Sequence, residues 1–248
     1  MYIKDHYKVI GLMSGTSLDG ADIAYCTFRL INNKWNYELL QVETIPYSQE
    51  WRSRLSSVEK GSALDLAITD SDYGCYLGQL TRNFIVTHEL TPDFISSHGH
   101  TIFHQPEKKL TLQIGKGSAI VAETGHPVIC DFRSLDVNLG GQGAPLVPIG
   151  DRLLFNDFDF CLNLGGFANI SFEKEEKRIA FDICPVNIVL NYLAGRVGKP
   201  YDPSGEMAPT TSISAPEVSS AVNWLIAFDD ESRDISEIDD SDETSKEQ

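Results

Sequence analysis

Between Gly11 and Cys26 the chain reads GLMSGTSLDGADIAYC. Strand-forming Val9, Ile10, Leu12 and Met13 lead into Ser14-Gly15-Thr16-Ser17, and Ile23, Ala24 and Tyr25 lead out past Leu18-Asp19-Gly20-Ala21-Asp22. Asp-Gly between apolar runs is a hairpin signal, because glycine accepts positive φ without steric cost. A turn of glycines and hydroxyls also leaves backbone N–H groups to face an anion. Two nearby carboxylates repel a bare phosphate but suit one that arrives with Mg²⁺. Taken alone, the stretch reads equally well as an ordinary polar turn.

Asp182 is the second carboxylate of interest. It stands at the predicted end of a strand, ahead of Pro185 and a helix expected over 188–197. A carboxylate there can orient a water or hydroxyl for attack, or can simply cap the helix. His98, His100 and His104 lie close together, and a strand would put His98 and His100 on one face, but no acidic or cysteine partner sits at zinc-ligand spacing. Asp131, Arg133 and Asp136 can hold a polar substrate or pair among themselves.

The elements that must position these residues follow from periodicity. After the first hairpin, strands are expected over 26–30 and 35–45, joined by Asn32-Asn33. Trp51, Leu55 and Val58 fall at helical spacing, as do Tyr73, Leu77, Leu80 and Phe84, with Asp70 or Asp72 as candidate caps. Strands at 93–97 and 110–114, a helix over 117–124 ended by Gly125 and a strand at 127–130 complete a βββαβα order, the pattern of a ribonuclease-H-like α/β domain. The glycine-rich run 140–145 is expected as a hinge or boundary. A second strand, turn and strand theme begins at 158–164, turns at Gly165-Gly166, and continues over 168–172 and 178–181. Domains are therefore expected at 1–135 and 136–202, with 203–248 a linker and acidic tail too poor in apolar surface to order.

Composition bounds the partners. The 248 residues carry a formal charge of −16, of which −8 falls in 229–248, and this excludes nucleic acid and an anionic membrane surface. A 42% hydrophobic share is enough for a core. The five cysteines are dispersed with no CxxC pair, reading as small hydrophobes in a reducing compartment. No cleavable signal architecture or membrane-length apolar run is present, so a cytoplasmic protein is expected.

Together, GLMSGTSLDGAD at 11–22, SHGHTIFHQPE at 97–107, TLQIG at 111–115, DFRSLDVNLGGQGAPLVP at 131–148, LNLGGFANIS at 162–171 and FDICPVNIVLNYLAGRVGKPYD at 181–202 closely resemble the anhydro-N-acetylmuramic acid kinase family. The resemblance implies an actin/hexokinase/Hsp70-type fold, with two ribonuclease-H-like domains around a cleft. It implies ATP and Mg²⁺ as cofactors and 1,6-anhydro-N-acetylmuramic acid as substrate, converted to N-acetylmuramic acid 6-phosphate in peptidoglycan recycling. Residues Gly15, Thr16, Ser17, Leu18, Asp19, Gly20, Ala21 and Asp22 would form the ATP phosphate loop, with Asp19 facing the hydrated metal. Gly165 and Gly166 would belong to a second phosphate turn, Asp182 would be the catalytic base, and His98, Arg133 and Asp136 would face the sugar. A homodimer is among the expected assemblies. A different phosphotransferase on the same fold is a further reading, disfavoured by the 131–148 and 162–171 motifs.

Two local departures from the family pattern stand out. His100 occupies a position where the family usually has glutamine, and Ile183-Cys184-Pro185-Val186 replaces the commoner Thr-Gly-Pro-Gly. After about Met207 nothing resembles the family's later part, so the ending reads as foreign. An incomplete second domain, an exposed apolar patch and weak or absent kinase activity are the expectations, with a non-catalytic sugar-binding or subunit-binding fragment as the alternative.

Overall fold

The structure is a computed structural model and describes residues 4–15, 18–144 and 146–207. Thr16, Ser17, Pro145 and the stretch from 208 onward lie outside the described residues, and with them most of the expected linker and tail. Contacts divide the chain into two units, Met1–Cys161 with Phe172–Ile179, and Leu162–Ser171 with Ala180–Gln248.

The first unit is built on a hairpin, β1 (His6–Ser14) and β2 (Gly20–Ile31), extended by β3 (Lys34–Pro46). Asn32 and Asn33 both take left-handed φ (52° and 62°), as a two-residue hairpin turn demands. Helices α1 (Gln49–Ser57) and α2 (Ala63–Thr87) follow, then β4 (Phe94–Ser97), the hairpin β5 (His100–Gln105) and β6 (Leu110–Ile114), α3 (Gly117–Thr124) and β7 (Val128–Cys130). The main sheet has the order β3-β2-β1-β4-β7. Its first three strands are antiparallel, whereas β4 runs parallel to β1 and β7 parallel to β4, giving a mixed α/β sheet.

Alternation along the strands decides which face is buried. Ile10 and Leu12 of β1, Ile23 and Tyr25 of β2 and Ile95 of β4 form one core cluster with Tyr73, Leu77 and Phe84 of α2 and Ile120 of α3. Each such side chain contributes about 1.5–3 kcal/mol. The cap of α2 differs from expectation: Ser62 caps it and Asp65 returns the bond in a capping box, ten residues ahead of Asp72. Asp70 and Asp72 therefore lie inside the helix. Asp70 Oδ1 instead accepts from the Gly115 amide (2.8 Å), while Asp72 pairs with Arg54. Two short helices, α4 (Ser134–Asn138) and α5 (Val147–Leu154), flank the glycine-rich run 140–145 on either side.

Strands β8 (Phe160–Leu164), β9 (Phe167–Lys174) and β10 (Lys177–Pro185) form a sheet of order β10-β9-β8, followed by α6 (Asn187–Arg196). In the second unit Leu162, Leu164, Phe181 and Ile183 are all more than half exposed, an apolar display unusual for strand residues. No helix among the described residues is long and apolar enough to cross a membrane.

Candidate functional site

The turn between β1 and β2 keeps Ser14 opposite Ala21, so the ladder closes just beyond the glycine-rich residues. Leu18, not Gly20, takes the left-handed conformation (φ 56°), and its amide reaches the Gly15 carbonyl at 3.4 Å. Gly20 already belongs to β2, and glycine is required there because a Cβ would lie 2.5 Å from the Ile45 carbonyl oxygen. The sequence reading assigned the right residue the wrong reason: close backbone approach rather than positive φ. Asp19 accepts from the Gly20 amide at 3.0 Å, and Asp22 accepts from Thr44 Oγ1 at 2.6 Å. Both carboxylates are exposed. Thr16 and Ser17 fall outside the described residues.

His98, Arg133 and Asp136 do come together, around a backbone. Arg133 Nε and Nη2 both donate to His98 Nε2 (3.1 and 3.0 Å), and Arg133 Nη1 donates to the Gly143 carbonyl at 2.6 Å. Asp136 Oδ2 accepts from the Gly143 amide at 2.7 Å. The two charged groups thus clamp opposite sides of one residue. Gly143 has φ 64°, and a Cβ there would meet Val137 Cγ2 at 2.5 Å. Gly143, at the end of the run 140–143, is consequently held at both its amide and its carbonyl.

Because Arg133 can only donate, His98 Nε2 must accept, which places the proton on Nδ1, 2.9 Å from the Gly99 carbonyl. Burial, followed by the Arg133 charge, holds His98 below its usual pKa despite the Gly99 bond. Arg133→Ala leaves the His98 ring nitrogen and the buried Gly143 carbonyl unpaired, and is expected to lower stability by about 2 kcal/mol in urea unfolding. Arg133→Lys is expected to recover only part of that, since one ammonium cannot reproduce the planar fork.

His100 does not share a face with His98. Gly99, at φ 72°, turns the chain between them, so that His98 faces Arg133 while His100 Nδ1 lies 3.0 Å from Ser14 Oγ. His100 is buried, and burial lowers its pKa. A histidine neutral when folded but protonated when unfolded stabilises the fold above its unfolded pKa, near 6.5, and that contribution is lost as pH falls toward the folded value. Stability is therefore expected to drop between pH 7.5 and 5.5, by at most about 1.4 kcal/mol per pH unit for each such group. Urea midpoints at the two pH values check this, and His100→Gln is expected to shrink the drop.

At the carboxyl ends of β4 and β7, where open α/β sheets collect ligands, lies a pocket of about 170 Å³. Ser97, His98, Asp131 and Ser134 line it, together with the backbone from Gly115 to Gly117. Ser97 Oγ is buried there with no hydrogen-bond partner. Sequence reasoning missed Ser97, although its place at the end of a strand leading into His98-Gly99 was the available signal.

In the second unit, Asp182 is exposed and sits within β10, which runs on to Pro185. The residue preceding α6 is Val186, with no side-chain cap, so Asp182 is not the helix cap. The Gly165-Gly166 turn docks the start of that helix: the Val186 and Ile188 amides donate to the Gly166 carbonyl (2.7 and 3.4 Å), and the Asn187 amide to Gly165 (3.2 Å). A Cβ on Gly166 would meet the Ile188 side chain at 3.2 Å, close enough to make that side chain shift slightly.

Among the described residues no three His, Cys, Asp or Glu side chains gather as a metal-binding group. The exposed Asp19 and Asp22 fit a cation only if phosphate oxygens and waters complete its shell, as Mg²⁺ bound to a nucleotide provides.

The family model described as anhydro-N-acetylmuramic acid kinase matches residues 7–222. The chain is 36% identical over 207 residues to the anhydro-N-acetylmuramic acid kinase of Paramagnetospirillum magneticum, covering 80% of this chain and 57% of that protein. The corresponding kinase of Pseudomonas putida is 34% identical over 224 residues (86% and 60%), and that of Bacillus thuringiensis subsp. konkukian 33% over 222 residues (81% and 57%). The chain thus spans 57–60% of the length of these curated relatives. On this match, whose span includes the residues of the β1–β2 turn, the Gly143 clamp and the β10–α6 junction, the chain belongs to the anhydro-N-acetylmuramic acid kinase family.

Proposed function

We propose that this chain carries the phosphate-binding turn and catalytic aspartate of an ATP-dependent kinase that converts 1,6-anhydro-N-acetylmuramic acid to N-acetylmuramic acid 6-phosphate, in the cytoplasm. The observation that carries the reading is the family match over 7–222, which includes residues 15–22, 165–166 and 182. The mixed sheet of order β3-β2-β1-β4-β7 supports a ribonuclease-H-like first domain, proposed at 1–135; a second domain of that type, begun at 136–202, rests on the family match alone.

In this reading Gly15 to Asp22, with Gly165 and Gly166, hold the ATP phosphates, and Asp19 faces a Mg²⁺ that neutralises phosphate charge. His98, Arg133 and Asp136 face the sugar, through the Gly143 loop they clamp. Asp182 takes a proton from water as that water attacks the anomeric carbon. The bond from that carbon to O6 breaks, and O6 receives the γ-phosphoryl group as ADP leaves.

The exposed Leu162, Leu164, Phe181 and Ile183 favour a second reading, in which the chain is a non-catalytic fragment that binds the muramyl sugar or another subunit. Incubating the purified chain with ATP, Mg²⁺ and the anhydro sugar separates the two. ADP and sugar phosphate appearing together support the kinase. Sugar binding without ATP turnover supports the second reading, and ATP turnover that ignores the sugar overturns both.

A further inference from the structure

Four polar side chains that the proposed reaction does not use are packed in the core around the end of β1. Ser14, Tyr47, Tyr73 and His100 are each no more than 4% exposed. They come from four places: the last residue of β1, the link between β3 and α1, the middle of α2 and the first residue of β5. Tyr47 donates its hydroxyl proton to Ser14 Oγ at 2.7 Å, and the Tyr47 and Tyr73 oxygens lie 2.6 Å apart. Ser14 Oγ lies 3.0 Å from His100 Nδ1.

Each hydroxyl has a single proton, so the directions are linked. With the Tyr47 proton directed at Ser14, Tyr47 must accept from Tyr73. The Ser14 proton then goes to His100 Nδ1, leaving Nε2 as the protonated nitrogen of a neutral ring. The assignment that satisfies every hydroxyl therefore runs one way, from Tyr73 through Tyr47 and Ser14 to His100. Burial agrees with it, keeping the tyrosines in the phenol form and the imidazole uncharged. Apolar side chains of similar shape would fill this space without any hydrogen-bond requirement. What the hydroxyls add is direction, because Ser14 is held from two sides immediately before Gly15 opens the turn.

We propose that this one-way hydroxyl chain is a positioning device for the β1–β2 turn, with His100 as its accepting end and Ser14 as the point where it grips the turn. Only its consequence for ATP rests on the proposed function; the grip on the turn does not.

The test uses the full chain. Nitrogen-15 NMR of the histidines is expected to show His100 neutral, with Nδ1 unprotonated and Nε2 protonated. Amide hydrogen exchange is then followed at Leu18 and Gly20 of the turn and at Leu77 and Thr81 of α2. His100→Gln keeps one acceptor and one donor, and is expected to leave turn exchange within about twofold of the parent. His100→Leu, and independently the nearly isosteric Tyr47→Phe, are expected to speed turn exchange about tenfold, the equivalent of one buried hydrogen bond, with α2 unchanged. ATP affinity is expected to follow the same ranking. A proton on Nδ1 would overturn the proposal, as would unchanged turn exchange in both disrupting variants, or acceleration spread equally into α2. A parent chain that binds no ATP counts against the proposed function instead, and the exchange and tautomer results still decide the relay.

Discussion

Asp182→Asn is expected to lower phosphoryl transfer to the anhydro sugar by about 10²–10⁴-fold, the range for losing a positioned general base. The amide keeps the shape and the hydrogen-bonding oxygen of the carboxylate but cannot take a proton from the attacking water. Because Asp182 is exposed and does not cap α6, its replacement removes neither a helix cap nor core packing. The unfolding midpoint is accordingly expected to stay within about 0.5 kcal/mol of the parent, as for other surface substitutions. That combination separates chemistry from folding. Turnover is read by ADP release together with the sugar phosphate by mass spectrometry, and nucleotide affinity by calorimetry. Loss of turnover with ATP affinity retained assigns Asp182 to the base. Turnover within tenfold of the parent would remove it from that role and leave the water to another group.

Much of the first sheet was legible because its signals are local. Alternation in β1 and β2, Asn32-Asn33 at a turn that demands two positive φ values, and Gly125 closing α3 each act within a few residues. The misses share a different character. The start of α2 was misjudged because two interior aspartates look like caps, and only their long-range partners, Gly115 and Arg54, show otherwise. Arg133 and Asp136 were recognised as a pair of interest, but no spacing rule says that both would hold Gly143. The network of Ser14, Tyr47, Tyr73 and His100 joins residues up to 86 positions apart, and in the sequence Tyr73 reads only as one position of a helical stripe. Local periodicity places elements; which buried polar groups satisfy one another is decided only when the elements pack.

The same distinction sets the largest expected stability effect, at a glycine. Gly74 lies inside α2, where intrinsic propensity alone makes Gly→Ala favourable by about 1 kcal/mol. Packing opposes this: a Cβ on Gly74 would stand 2.7 Å from the Lys116 carbonyl oxygen, 2.8 Å from its nitrogen and 3.0 Å from Ala119 Cβ. Those are mostly backbone atoms, with no flexible side chain to swing aside. The start of α3 must move away, and that motion strains the Lys116 and Gly115 amide bonds to Asp70. Overpacking of this kind costs about 1–3 kcal/mol, and a strained buried hydrogen bond adds about 1 kcal/mol more. Gly74→Ala is therefore expected to destabilise the chain by about 1–3 kcal/mol net of the propensity gain, read as a lower urea midpoint at unchanged slope. Gly150→Ala in α5 is the matched control, since nothing lies within 4 Å of its Cβ position. There the propensity term acts unopposed, and a gain of up to about 1 kcal/mol is expected. Opposite signs for one chemical change at two helical glycines would locate the difference in the α2–α3 contact. A stabilising Gly74→Ala would instead mean that α3 yields at little cost, and that its first turn, which lines the pocket beside Ser97, is not rigidly held.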